Sequence, residues 1–224
     1  MSIFAKRTDP DAERTIDSAE ALIKAVRAVG IIPFFENPLP GYSIEEMTPA
    51  EHWFESDNLG PWDWKIAAVQ TGEIAYGKFL CGGKAAFATS SCYRDLMNWR
   101  RSLPKYAMKS EDTKAYQAIC EAGTLTTREL RMICGLKKAQ LDSLLTRLEM
   151  QTRIIIGDIE RVYKGEFLEY NGWQLASLCR PEDLFEFDMD EAFRSPEESF
   201  ARLKAQIKKN AQAATDAQIQ ELLG

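Results

Sequence analysis

The chain has 224 residues, 45% of them hydrophobic and 28% charged, which gives enough apolar material for a core and excludes a disordered chain. That length suits one large domain or two small ones, and two are expected. A net charge of -6 excludes a surface that attracts nucleic acid everywhere, and no uncharged apolar run approaches the ~18–20 residues of a membrane span or forms a secretory signal, so a cytosolic protein is expected.

The elements follow in chain order. Residues 1–14 are polar and charged and predict a loose terminus. From Asp17 to Val29, Leu22, Ile23, Val26 and Val29 recur at helical spacing, and Gly30 supplies the stop. Ile31 to Phe35 is apolar but interrupted by Pro33, and Asn37 to Ser43 is a turn-forming loop. Thr48-Pro49-Ala50-Glu51 spells a capping box with proline at the first helical position, predicting a short helix through His52, Trp53 and Phe54. Gly60 and Pro61 break the chain before a helix from Trp62 to Thr71. Ile74–Leu80 and Lys84–Thr89 flank a glycine pair as a β-hairpin, and a helix from Ser91 to Ser102 ends at Pro104.

The second half repeats that order. Asp112 to Ala122 predicts a helix stopped by Gly123, and Leu125 suits a short strand. Thr126-x-x-Glu129 caps a helix from Thr127 to Cys134. Gly135-Leu136 makes the tight turn of a helix-turn-helix, and Lys137 to Met150 carries Leu141, Leu144, Leu145 and Leu148 as a core stripe. Strand-like pieces from Arg153 to Leu175, broken at Lys164-Gly165, form a wing, and Ser195-Pro196-Glu197-Glu198 caps a long last helix. The expected class is α+β and helix-rich: tandem winged-helix-like units over 15–104 and 110–190, with β-hairpin wings, and a C-terminal helix over 195–223.

Charge and chemistry narrow the function. Residues 94–164 hold 14 Lys and Arg against 9 Asp and Glu, a basic middle between acidic ends. The Lys137–Met150 helix sets Ala139, Ser143 and Thr146 opposite its leucines, flanked by Gln140 and Arg147. The small residues, Ser143 among them, allow DNA to approach closely; in a DNA reader Gln140 could pair with adenine and Arg147 with guanine, with Arg128, Arg131, Lys137 and Lys138 left for phosphates. The alternative is that this small-residue face packs against the other domain or another chain. Five scattered cysteines, Cys81, Cys92, Cys120, Cys134 and Cys179, form no C-x-x-C pair and are expected reduced and mostly buried. With His52 the sole histidine, no metal and no cofactor are expected.

Trp53-Phe54 through Pro61-Trp62-Asp63-Trp64, Ile74-Ala75-Tyr76-Gly77-Lys78-Phe79, and Gly172-Trp173 followed by Arg180-Pro181-Glu182-Asp183 resemble uncharacterised bacterial proteins related to the winged-helix DNA glycosylases that excise alkylated or crosslinked purines. The resemblance spans roughly residues 18 to 190 and implies tandem winged-helix units and a link to DNA. The Gln-x-Gln or Gln-x-Asp pair of those glycosylases does not carry over. Gln70 is followed two places on by Gly72, Gln140-Leu141-Asp142 splits across a core-facing leucine, and Gln218-Ile219-Gln220 lies near the C-terminus. No catalytic residue is transferred.

Aromatic and charged residues concentrate between positions 51 and 79. His52 and Glu55, three apart on one predicted helix, could act as a base and its orienting carboxylate, with Trp53, Trp62, Trp64, Tyr76 and Lys78 as pocket walls around a flipped base. The bland alternative is a tryptophan core. The leading expectation is a non-enzymatic module that binds double-stranded DNA. The alternatives are a glycosylase-like enzyme acting on damaged DNA and an interaction scaffold with a protein partner or a second copy of the chain.

Overall fold

The computed structural model describes residues 15–53, 59–185 and 194–224. The terminus expected over 1–14, together with Phe54 and Glu55, lies outside them. Helix α1, Ala19–Val29, begins where the Ser18 hydroxyl accepts from the Ala21 N–H and buries Leu22, Val26 and Val29. Its stop, Gly30, has φ +88°, a backbone state other residues resist. Strand β1, Ile31–Pro33, follows at the sheet edge, where a proline lacking its N–H does no harm.

The predicted capping box at Thr48 does not form. Helix α2, Ile44–Met47, opens earlier under a Ser43 cap, and the Thr48 hydroxyl donates back to the Ile44 carbonyl at 2.7 Å, ending a helix instead of starting one. A 3₁₀ turn, Ala50–His52, follows among the described residues. Helix α3, Pro61–Gln70, starts at its proline, and strands β2, Ile74–Leu80, and β3, Lys84–Thr89, form the expected hairpin. Helix α4, Ser90–Ser102, is capped by Thr89.

The second half reuses the plan: α5, Thr113–Ala122; β4, Thr124–Thr126; α6, Thr127–Cys134; α7, Lys138–Met150; then the long hairpin of β5, Ile155–Lys164, and β6, Glu169–Cys179. All six strands join one antiparallel sheet in the order β1-β3-β2-β5-β6-β4. Each half contributes its strands as first, third, second, so the two halves meet through equivalent strands, β2 and β5. That joint is registered by one pair, Tyr76↔Ile156.

Two hydrophobic clusters flank the joint. The larger draws on α1, β1–β3, α4 and the C-terminal segment, the smaller on Ile119, Leu130 and the α7 stripe Leu141, Leu144, Leu145 and Leu148. Each of those leucines is buried, and each contributes about 2 kcal/mol.

A short helix α8, Pro181–Leu184, follows the long hairpin. The single helix expected over 195–223 is two. Helix α9, Pro196–Asn210, opens on the predicted Ser195 cap and packs against α4, whereas α10, Asp216–Leu223, opens on a separate Thr215–Gln218 capping box. The break lets α10 fold back so that Ile219, Leu222 and Leu223 enter the larger core. Arg100 of α4, fully buried, locks this return: its guanidinium donates to the Leu223 carbonyl and, at 3.0 Å, to the Met150 carbonyl, and lies over the Tyr106 ring. Burial lowers its pKa to about 10.

Replacing Arg100 with methionine leaves those two carbonyls without their donor, so Arg100→Met should cost about 2–4 kcal/mol in urea unfolding. Amide exchange in α10 should rise with it; unchanged exchange would mean that the apolar face of α10 suffices to hold it.

Candidate nucleic-acid interface and seam cavity

The basic face is built at the α6–α7 corner. The Thr126 hydroxyl accepts from the Glu129 N–H while the Glu129 carboxylate accepts from the Thr126 N–H at 2.8 Å, so α6 starts where the sequence predicts. Gly135 turns the chain with left-handed geometry. Arg128, Arg131, Lys137 and Lys138 are all exposed, and Arg128, Arg131 and Lys138 line a groove of about 420 Å³ with Thr127, Leu141 and Asp142. Ser143 is also exposed on this side. Gln140 is exposed, but its carbonyl oxygen accepts the Lys137 N–H at 3.1 Å and caps α7.

Arg147 is drawn elsewhere. Its guanidinium donates to Asp112 at 2.7 Å and pairs with Glu111 at 2.8 Å. Burial pushes the Asp112 carboxyl up, but hydrogen bonds from Arg147 and Gln151 outweigh it and hold the carboxyl below the usual range. The small-residue face also divides along its length. Thr146 sits against the turn of the first hairpin so closely that a Cβ on Gly83 would lie 2.6 Å from its methyl, while the face before Leu144 stays open.

The residues gathered between positions 51 and 79 separate in space. His52 is half-buried with its ring 5.6 Å from that of Trp64, and Glu55, its expected partner, lies outside the described residues. Trp53 is buried edge-on to Phe34, which also contacts Tyr76, so these rings are core. Trp62 and Asp63 tie α3 to the long hairpin. The Trp62 indole donates to the Gly172 carbonyl at 3.3 Å, and Asp63 accepts from Arg161 at 2.6 Å and from the Tyr170 hydroxyl at 2.8 Å. Lys65 is 4% exposed, donates to the Trp62 carbonyl at 2.8 Å, and stands over the Trp62 ring. Its desolvation outweighs the pull of Asp63 and lowers its pKa to about 7.

Tyr76 and Lys78 do line a cavity, one that pattern reading did not anticipate. It holds about 200 Å³ at the seam between the halves, with Tyr76, Gly77, Lys78 and Ala85 on one side and Thr127, Asp142, Leu145, Glu149, Ile156, Ala176 and Leu178 on the other. Glu149, at the buried end of α7, reaches across it: its carboxylate accepts the Lys78 N–H at 3.0 Å, and a Cβ on Gly77 would stand 2.6 Å from that oxygen. Burial raises its pKa to about 7 despite that bond and the charge of Lys78. The sequence hint was a glutamate on the leucine stripe's side of an amphipathic helix, opposite a glycine inside a strand.

Among the described residues, no group of three or more His, Cys, Asp or Glu is placed to hold a metal, and no helix is long and apolar enough to cross a membrane. Of the five cysteines Cys179 is buried and the other four are partly buried.

The chain is thus a two-cluster α+β protein with one continuous antiparallel sheet and an exposed basic corner. A family model described as AlkZ related matches residues 16–224, and the chain belongs to that family, a relative of the DNA glycosylase-like AlkZ proteins. No curated protein and no solved structure matches it.

The two buried charges predict opposite pH effects. Glu149 has a raised pKa, so the folded state keeps a proton that the unfolded chain releases, and stability falls as pH rises from about 4.5 to 7. Glu149→Gln keeps the acceptor without the charge, and its stability relative to the natural protein should rise by about 2.5 kcal/mol between pH 5 and pH 8. An identical difference at both values would remove the buried-charge account. For Lys65 the sign reverses: the folded protein gains stability from about pH 7 upward, so any advantage of Lys65→Met should shrink towards pH 10 in the same unfolding assay.

Proposed function

We propose that the chain is a DNA-binding protein of tandem winged-helix construction, linked to DNA repair, with units over residues 15–104 and 110–190 and a helical C-terminal segment. The observation that carries this reading is the set of four exposed cations, Arg128, Arg131, Lys137 and Lys138, around the groove where α6 turns into α7. In a helix-turn-helix the N-terminal part of the second helix meets the major groove, and the open stretch of α7 from Lys138 to Ser143 is that part. The four cations contact phosphates, Gln140 and Ser143 lie towards base edges, and Arg147 serves as a strut. Family membership supports the link to repair.

The long hairpin takes a different part. Residues 155–179 carry Asp158, Glu160, Glu166 and Glu169 against Arg161 and Lys164, while Phe167, Leu168 and Trp173 are exposed. An acidic, apolar wing repels phosphate and suits a protein contact. A second reading, a glycosylase-like enzyme, is favoured by the family relation alone. It has no Gln-x-Asp pair to use at positions 140 and 142, since Gln140 caps its helix while Asp142 faces the groove and the cavity.

Fluorescence anisotropy of a labelled duplex, undamaged and alkylated, tests the proposal. Binding should weaken steeply with salt, with a log–log slope of roughly -3 to -4 for four phosphate contacts, and replacing the four cations with alanine should remove most of it. An absence of binding at low salt sinks the DNA reading. Release of free base from the alkylated duplex would replace the binding module with the enzyme.

A further inference from the structure

The seam cavity has features that neither DNA contact nor packing requires. Strands β2 and β5 pair only at Tyr76↔Ile156, and α7 roofs the gap that opens beside that pair. A space of about 200 Å³ exceeds the ~150 Å³ engineered protein cavity that admits benzene, so one aromatic ring fits. Its walls are largely apolar, from Ala85, Leu145, Ile156, Ala176 and Leu178.

Glu149 breaks this apolar lining. It is 4% exposed, and the hydrogen bond to its carboxylate comes from the Lys78 N–H. A carboxylate offers about four acceptor positions, so this bond leaves most of them open. Among the described residues no lysine or arginine forms an ion pair with Glu149, and the one cation acting on it from the cavity lining, Lys78, is exposed. A glutamine would hold the Lys78 N–H equally well without desolvating a charge, so the strand contact alone does not account for an acid here. Asp142, exposed at the cavity's edge and one helical stretch away on α7, adds a second carboxylate of the same sign.

We propose that this cavity binds a small, single-ring organic cation bearing N–H donors, of the aryl amidine or aminopyridine kind, with the ring between the apolar walls and its N–H groups on Glu149. The walls supply the fit, and the carboxylates select the charge: an anion of the same shape meets Glu149 and Asp142 and is rejected. Because β2 and β3 form one side and α6, α7, β5 and β6 the other, the occupant joins the two halves of the protein. The site shares Thr127 and Asp142 with the groove of the basic corner, whereas Glu149 and the apolar walls belong to the cavity alone.

Calorimetric titration of the full chain at about pH 8.5, where Glu149 is ionised, with benzamidine and with benzoate as the isosteric anion, tests the proposal without DNA. Benzamidine should bind one to one and raise the melting temperature, and benzoate at about 10 mM should do neither. Glu149→Gln should weaken benzamidine at least tenfold while keeping a cooperative thermal transition. Ala176→Leu, which fills the space but keeps the carboxylate, should weaken it similarly. Comparable binding of benzoate, undiminished binding to either folded variant, or no benzamidine binding at about 10 mM overturns the proposal, the last leaving water as the occupant. Loss of DNA binding would not bear on these results, and loss of benzamidine binding would leave the DNA reading standing.

Discussion

The close approach of α7 to the first hairpin sets the geometry of the whole molecule. At its end, Thr146 rests where only a glycine, Gly83, leaves room, and Glu149 presses against Gly77 while taking the Lys78 N–H. Two glycines on one hairpin therefore fix how the second half of the chain sits on the first. Because the sheet joint itself is registered by one residue pair, this helix-on-hairpin contact carries much of the burden of holding the halves together. It also divides α7 along its length: the end is buried against the first hairpin, and the outer face of the beginning is exposed.

The same contact explains the buried charges at the seam. A glutamate that reaches the backbone of β2 must leave water, and its pKa rises accordingly. Lys65 and Arg100 are desolvated in the same way, one over a tryptophan ring and one among main-chain carbonyls. Two of them tie elements distant in sequence, Glu149 joining α7 to β2 and Arg100 receiving α10, whereas Lys65 bonds within α3 to Trp62, whose indole meets the long hairpin. Polar groups at such junctions specify one arrangement, because a shifted helix would strand an unpaired charge.

Electrostatics then separates the outer faces. The basic excess read over residues 94–164 is thinned by internal pairs, with Arg147 held by Asp112, Arg161 by Asp63, and Arg101 by Glu182. What remains concentrated is the α6–α7 corner, while the long hairpin is acidic with apolar residues at its tip. A protein with a net charge of -6 can in this way keep one local basic surface.

Local signals determined much of the element list by themselves. The Thr126–Glu129 and Ser195–Glu198 boxes, the Gly30 and Gly123 stops, and the leucine stripe from Leu141 to Leu148 act within one or two helical turns, so the sequence states them directly. The Thr48 box failed because its hydroxyl had a competing local acceptor, the Ile44 carbonyl, once Ser43 had started a helix earlier. The break between α9 and α10 was missed because continuous helical spacing hides a turn whose reward is long-range burial of Ile219, Leu222 and Leu223. The four cations of the basic corner were legible, but the diversion of Arg147 was not, since Asp112 lies 35 positions away. Nor could the sequence reveal the seam cavity, whose walls come from six separate elements. Helix and hairpin formation is decided by neighbours along the chain; which charges stay free, and where a carboxylate is stripped of water, is decided by packing between segments that meet only in the folded protein.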